Sequence, residues 1–316
     1  MAVGVWHEHV GRDFVWDGSR FLMNWETPTA VAAVYLSACA MHNIRLARRA
    51  KQGSAQPFPL LDAVSVTHNA ILVSFSAIVF IAAGFRFVAV IEKTGLRSFL
   101  CPPMHPPSAG LAGFFTLMLS DGSDSAPQLP PPLAGELHYW CYVFYLSKYY
   151  ELLDTLLLML RGKPVIFLHA MHHAFIPLVM VVLFEGRVSV SLVGLTCLNS
   201  LVHVVMYAYF LASALGWSPP IIWKMQVTRL QILQFSAGVV GGTSYWLMYF
   251  RKPRIEFDGN GASHWLPRLQ YEPGCDGGDP HMVLVGYLVN CLLLCLFLRF
   301  YKDAYSPRRR RADKVR

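Results

Sequence analysis

Residues 164–184 read PVIFLHAMHHAFIPLVMVVLF, a run without Asp, Glu, Lys or Arg. About 20 such residues are enough to cross a bilayer as a helix. Inside the run stand His169, His172 and His173, spaced His-x-x-His-His. Ionisable side chains at membrane depth are costly and usually face the interior of a helix bundle, where they mark a functional site. One such histidine would be explained as a hydrogen-bonded core residue. Three at this spacing, with further polar residues in neighbouring apolar segments, point to a site.

The surrounding chain supports a membrane setting. Of 316 residues, 54 % are hydrophobic and 15 % charged, against about 25 % charged in soluble domains. The composition predicts an all-α polytopic membrane protein. No polar stretch is long enough to build a separate soluble core. The net charge of +8 gathers largely in Arg45–Lys51 and Arg308–Arg316. Beside membrane segments such clusters set topology and meet anionic lipid, so nucleic acid is not expected as a partner. The seven cysteines form no CxxC pair, and Cys291 and Cys295, one helical turn apart in an apolar run, read as core. There is no Asn-x-Ser/Thr sequon. Met1–Glu26 lacks a basic start followed by an apolar core, so no cleavable signal peptide is expected.

Seven spans are predicted: Pro28–His42, Ala63–Ile91, Leu137–Leu160, Pro164–Phe184, Val188–Leu215, Ile221–Phe250 and Met282–Tyr301. The chain then divides into an N-terminal segment 1–27, a seven-span membrane domain 28–301 and a basic tail 302–316. Arg45, Arg48, Arg49 and Lys51, then Arg161 and Lys163, then Lys224, then Arg308–Arg311 all fall on one side of this arrangement. The positive-inside rule makes that side cytosolic and places the N-terminus outside. The loop from Lys93 to Glu136 is rich in Pro and Ser and reads as irregular. Within it Gly110–Leu119 is apolar but too short to span.

Four spans carry polar clusters. Span three holds Lys148, Glu151, Asp154 and Thr155, whose spacings of three and four predict one helix face. Span four holds the three histidines. Span five holds Asn199, His203, Met206, Tyr207 and Tyr209, and span six holds Thr228, Gln231 and Gln234. At 1.5 Å per residue from the cytosolic ends, Asp154 lies roughly 10 Å deep, His172 roughly 12 Å, and Gln231 and His203 roughly 15–20 Å. The clusters are therefore expected in one layer, as a single polar chamber open to cytosolic substrates, with an apolar tunnel above it.

Two chemistries suit such a chamber. HxxHH is one of the histidine boxes of di-iron membrane desaturases and hydroxylases. Those sites need several boxes, and His7, His9, His42, His68, His105, His138, His264 and His281 mostly fall in loops or at span ends. The other chemistry is acyl transfer, in which a neutral imidazole serves as base or as nucleophile toward a thioester. No GxSxG elbow competes for that role, and Cys141 and Cys197 carry no partnering motif.

Taken in order, Lys148-x-x-Glu151-x-x-Asp154-Thr155, His169-x-x-His172-His173, His203-x-x-Met206-Tyr207-x-Tyr209 and Thr228-x-x-Gln231-x-x-Gln234-Phe235 resemble the four signature motifs of the ELO family of fatty-acid elongases. The similarity covers roughly Asn69 to Tyr301. It departs where many members have a second Tyr and this chain has Phe210. The resemblance implies seven spans, with spans two to seven forming a barrel around an acyl tunnel. It implies an endoplasmic-reticulum acyltransferase, a very-long-chain 3-oxoacyl-CoA synthase. Such an enzyme condenses a long-chain acyl-CoA with malonyl-CoA, giving CO2, CoA and a 3-oxoacyl-CoA two carbons longer, without metal or redox cofactor. Other enzymes of the elongation cycle would be partners, and a homo-oligomer stays open.

On that footing His172 attacks the acyl thioester, or acts as base in a single step. His203, Asn199 and Gln234 stabilise the enolate, and His169 and His173 hold tautomer and geometry. Lys148, Glu151 and Asp154 anchor the chamber or meet a CoA phosphate. Thr155, Tyr207, Thr228 and Gln231 complete the substrate-binding set, and Asn69 lines the site or merely caps. In this topology Cys101 and Cys275 both lie in lumenal, oxidising loops, and a disulfide between them is expected to clamp the barrel mouth. Lys314, third from the end, is half of a dilysine retrieval signal. A seven-span transporter or receptor is the non-enzyme alternative, but the polar residues cluster in one half of the membrane.

Overall fold

The computed structural model describes residues 11–18, 21–49, 59–100, 133–249, 253–256, 268–271 and 278–305. They form nine helices among the described residues: α1 Glu26–Arg49, α2 Pro59–Thr94, α3 Leu96–Leu100, α4 Glu136–Tyr150, α5 Leu152–Leu160, α6 Phe167–Glu185, α7 Ser189–Ala214, α8 Ile221–Tyr249 and α9 Pro280–Tyr305. One feature departs from the all-helical expectation. Between α8 and α9, β1 Pro253–Glu256 pairs antiparallel with β2 Arg268–Tyr271. The segment Gly110–Leu119, the cysteines Cys101 and Cys275 and the tail Arg308–Arg311 lie outside the described residues.

Five of these helices are long and apolar enough to cross a membrane: Glu26–Arg48, Leu60–Thr94, Phe167–Glu185, Ser189–Ala214 and His281–Tyr305. Two predicted spans are missing from that set, one for its length and one for its composition. The third is interrupted at Glu151, leaving pieces of 15 and 9 residues. The sixth, α8, has 29 residues but carries Lys224, Gln226, Thr228, Arg229, Gln231 and Gln234 in its first half. Polar residues that serve a site lower the apolarity of the helix bearing them. The first predicted span, Pro28–His42, is an underestimate, because the helix continues through the basic residues to Arg49.

Contacts fix the direction of each element. At one end, Arg86 near the close of α2 pairs with Glu136 at the start of α4 (2.6 Å). There too, His138 meets Ser189 at the start of α7 (2.8 Å), and Trp16 Nε1 donates to Glu185 at the end of α6 (2.7 Å). At the other end Arg161, just past α5, donates to Asp62 near the start of α2 (2.7 Å), and Thr228 of α8 meets Tyr305, the last residue of α9 (3.2 Å). Successive long elements therefore run back and forth between two ends. α2 packs on α7, α7 on α8, α8 on α9, α9 on α6, α6 on α4 and α4 on α2, while α1 packs on α6.

The core lies inside that ring, with Tyr145, Phe144, Met180, Phe184, Leu192 and Leu293 fully buried. Large apolar residues also cover the outside, among them Val34, Ile78, Phe85, Leu156, Phe167, Leu233, Val240 and Leu288. A surface of that kind suits lipid rather than water. The segment before α1 closes one end. Phe14, Trp16 and Met23 are buried, and Trp16 stacks on Phe184 with ring centroids 4.1 Å apart. Glycine allows α8 and α9 to approach closely: a Cβ at Gly242 would run into the ring of Tyr287.

Candidate active site

The interruption at Glu151 shapes the site. The Asp154 amide donates to the Glu151 carbonyl only three residues back (3.1 Å), a tighter turn than the α-helix makes and a frequent mark of functional segments. Lys148, Glu151, Asp154 and Thr155 consequently do not share one continuous face, as their spacing predicts. They split into two networks.

The first network is buried behind the cavity. Lys148 and Glu151 are 3 % and 2 % exposed and lie 2.7 Å apart. Lys148 Nζ also donates to Asn199 Oδ1 (3.0 Å) and sits 3.9 Å from the centre of the Phe144 ring. Asn199 Nδ2 in turn donates to Gln234 Oε1 (3.3 Å), and Ser147 donates to Glu151 (3.2 Å). His203 Nδ1 lies 3.5 Å from the same carboxylate oxygen. An isolated buried charge would be prohibitively costly, and this pairing lowers the cost.

The second network faces the cavity. Asp154 bridges two helices: Tyr207 of α7 donates to Oδ2 (2.6 Å), and His68 Nε2 of α2 lies 2.8 Å from Oδ1. Arg161, seven residues on in the sequence, does not pair with Asp154. Arg161 instead donates to Asp62, Ser65 and the Leu61 carbonyl. Thr155 is bonded to His169 Nε2 (2.7 Å) and to Tyr35 of α1 (2.9 Å).

α6 supplies the histidines. The rings of His169 and His173 are 4.4 Å apart. His172 points its ring edge-on toward Phe235 and Phe297, at 6.1 and 6.2 Å, and its Nδ1 is buried with no hydrogen-bond partner among the described residues. Pro177 lies inside the same helix and, lacking N–H, leaves the His173 carbonyl without its usual helical donor.

These elements enclose a cavity of about 720 Å3. Its walls include Asn69, Asp154, His169, His172, His173, Asn199, His203, Tyr207, Thr228, Gln231 and Gln234. Lys148, Glu151 and Thr155 are not among the lining residues and act from behind the wall. Phe210, where the third motif departs, lines the cavity, and Arg161, Lys163 and Lys224 give it basic residues. A second cavity of about 380 Å3 is lined mostly by apolar side chains of α6 to α9 and by Gly238, Gly241 and Gly242. Gln234 and Phe235 border both. Among the described residues no three His, Cys, Asp or Glu side chains gather as a metal-binding group.

A family model described as ELO, the GNS1/SUR4 family, matches residues 20–313. The chain belongs to the ELO family. It is 33 % identical over 207 residues to the fatty acid elongase sre1 of Dictyostelium discoideum, covering 64 % of each chain. It is 30 % identical over 247 residues to fatty acid elongase 4 of Trypanosoma brucei brucei, covering 74 % of this chain and 86 % of that one. With fatty acid elongase A of D. discoideum it shares 31 % over 176 residues, 55 % of this chain and 57 % of the relative. The chain thus spans less than two thirds of the sre1 protein. No solved structure matches it. As an ELO protein with apolar helices of spanning length, it is a multi-pass membrane protein.

Sequence reasoning missed two residues of the site. His68 lines the cavity and pairs with Asp154. Its signal was present, an ionisable group in the apolar run of α2, but its place near the helix start concealed it. Tyr35 is held against Thr155 by tertiary packing and carries no motif.

Proposed function

We propose that this ELO protein condenses a long-chain acyl-CoA with malonyl-CoA, as a very-long-chain 3-oxoacyl-CoA synthase. The observation that carries the reading is the pair of adjoining cavities. A polar chamber walled by residues of all four motifs meets an apolar pocket at Gln234 and Phe235. A thioester with a long hydrocarbon tail has this division of polarity.

His172 is the nucleophile. Its imidazole attacks the thioester carbonyl, the C–S bond breaks and CoA leaves as thiolate. Malonyl-CoA then loses CO2, and the resulting enolate attacks the acyl-imidazole carbonyl. Its carbon replaces the nitrogen, which frees His172 and gives the 3-oxoacyl-CoA. His203, Asn199 and Gln234 line the chamber as donors for the enolate oxygen. Lys148 and Glu151 hold Asn199 from behind. Asp154 fixes Tyr207, while His173, Thr228, Gln231 and Asn69 shape the walls. Arg161, Lys163 and Lys224 suit CoA phosphates. The reaction uses no metal or redox cofactor.

The back-and-forth run of α1, α2, α4 with α5, α6, α7, α8 and α9 supports seven spans. The closed order of contacts from α2 through α7, α8, α9, α6 and α4 supports a barrel with α1 outside it. By the basic-residue rule the N-terminus is lumenal and the C-terminus cytosolic, in the endoplasmic reticulum. A Cys101–Cys275 bond would then clamp the lumenal side.

Purified protein supplied with malonyl-CoA and a panel of acyl-CoAs tests the reading. Extension by two carbons should survive a chelator and vanish in His172→Ala. With acyl-CoA alone, one equivalent of CoA should be released and the acyl mass should stay on the protein. Desaturation that needs NADH and oxygen and dies with chelation would overturn the reading.

A further inference from the structure

We infer that Tyr35, on the helix outside the ring, is a positioning residue that sets the tautomer of His169 through Thr155. The inference rests on the acyl-transfer reading of the chamber and deepens it. Tyr35 is 8 % exposed and Thr155 1 % exposed, so water does not complete their hydrogen bonds. Tyr35 OH lies 2.9 Å from Thr155 Oγ1, which lies 2.7 Å from His169 Nε2. Each hydroxyl has a single proton. Thr155 Oγ1 has no third partner among the described residues, so accepting from both neighbours would strand its own proton. The chain therefore runs in one of two senses, and each sense dictates where the imidazole carries its proton.

In one sense the phenol donates to Thr155, Thr155 donates to His169 Nε2, and the proton of His169 sits on Nδ1. In the other, Nε2–H donates to Thr155, Thr155 donates to the phenol, and the phenol proton needs another acceptor. The acceptor within reach is the Cys39 thiol, one turn along α1, and sulfur is a weak acceptor. The first sense uses the stronger bonds. It leaves His169 with Nε2 committed to the wall and an N–H on the other side of the ring.

The placement of Tyr35 is itself fixed. Asn43, two turns further along α1, exchanges two bonds with the backbone of Val165 just before α6: Nδ2 donates to the carbonyl (2.8 Å) and Oδ1 accepts from the amide (3.0 Å). His42 lies 3.0 Å from the Lys163 carbonyl. Together with the apolar contact of Ala32, Tyr35 and Cys39 on Ala170 and Ala174, these bonds hold α1 in register with α6. They give α1 a part in the chemistry that its position outside the ring conceals.

Tyr35→Phe keeps the ring and removes the hydroxyl. Its kcat for two-carbon extension should fall roughly 10- to 100-fold, the size of the loss when the partner behind a metal-bound imidazole is removed, with KM for both substrates within about twofold. Thr155→Val should fall as far, and the double variant no further than Thr155→Val alone, because the two act in one chain. In the 15N spectrum of histidine-labelled protein, the signals that disappear in His169→Gln should report Nδ1–H in the wild type and mixed tautomers in Tyr35→Phe. An unchanged spectrum and kcat in Tyr35→Phe, or losses that multiply in the double variant, would overturn the inference. If the wild type extends no acyl-CoA, the functional reading fails, and the 15N comparison still decides the tautomer.

Discussion

Lys148→Met isolates what the buried ion pair contributes. Methionine keeps much of the apolar stem and removes the ammonium. Glu151, 2 % exposed, is then left with the Ser147 hydroxyl at 3.2 Å and His203 Nδ1 at 3.5 Å, a distance that gives no useful hydrogen bond. Breaking a buried pair in this way costs about 3–5 kcal/mol. Removing both charges in Lys148→Met/Glu151→Leu leaves a smaller deficit. Ser147 can give its one proton wholly to the Phe144 carbonyl (2.7 Å), and the group left without a donor is Asn199 Oδ1, at about 1–3 kcal/mol. The single variant should therefore melt about 10 °C lower and the double variant should regain roughly half of that, at about 2–4 °C per kcal/mol. A thiol-reactive dye reads the transition as a rise above the baseline set by the exposed Cys295, because Cys39 and Cys141 are buried and react only once the helices separate. Both variants should lose elongation, since Asn199 is no longer held. A single variant that melts with the wild type, or a double variant less stable than the single, would refute the view that Glu151 depends on Lys148.

Asp154→Asn removes the charge that Tyr207 and His68 share, and elongation should fall about 10- to 100-fold; full activity would show that the bridge between α2 and α7 is dispensable. Gly242→Val drives a side chain into Tyr287 and should cost about 1–3 kcal/mol by overpacking. Tyr287→Ala should relieve it, and failure to do so would place the strain elsewhere.

What the sequence made legible was periodicity and chemistry. The apolar runs located every long helix, and counting inward from the basic loops put His172, His203, Asp154 and Gln231 at similar depth, where the structure has them around one cavity. What it concealed depended on the third dimension. A spacing of three and four implies one face only if the helix is unbroken, and the tight turn at Glu151 separates Lys148 and Glu151 from Asp154 and Thr155. Arg161 stands seven residues from Asp154, close enough to suggest a pair, yet α2 brings Asp62 and Ser65 nearer to it. The hairpin between β1 and β2 follows α8 in a stretch of mixed charge. Although Arg254-Ile255-Glu256 and Arg268-Leu269-Gln270-Tyr271 alternate polar with apolar residues, runs this short sit at the lower limit of a strand signal.

The distribution of unmet hydrogen bonds gives the chamber its character. Buried polar atoms normally find partners, and exceptions call for an explanation. Here His68 Nδ1, Glu151 Oε2 and His203 Nδ1, within the two networks, and His172 Nδ1 beside them are buried without a partner among the described residues, as are Thr196 Oγ1 and Ser200 Oγ on α7. A structural polar core would close these bonds. Leaving them open costs stability, and in exchange donors and acceptors stay uncommitted. The bonds from Lys148 Nζ to Glu151 Oε1 and from Tyr207 to Asp154 Oδ2 hold the wall still. His172, whose Nδ1 has no partner among the described residues, is set between the polar chamber and the aromatic pair, Phe235 and Phe297, beside the apolar pocket. That position, together with the histidine motif, supports the proposal that His172 carries the chemistry.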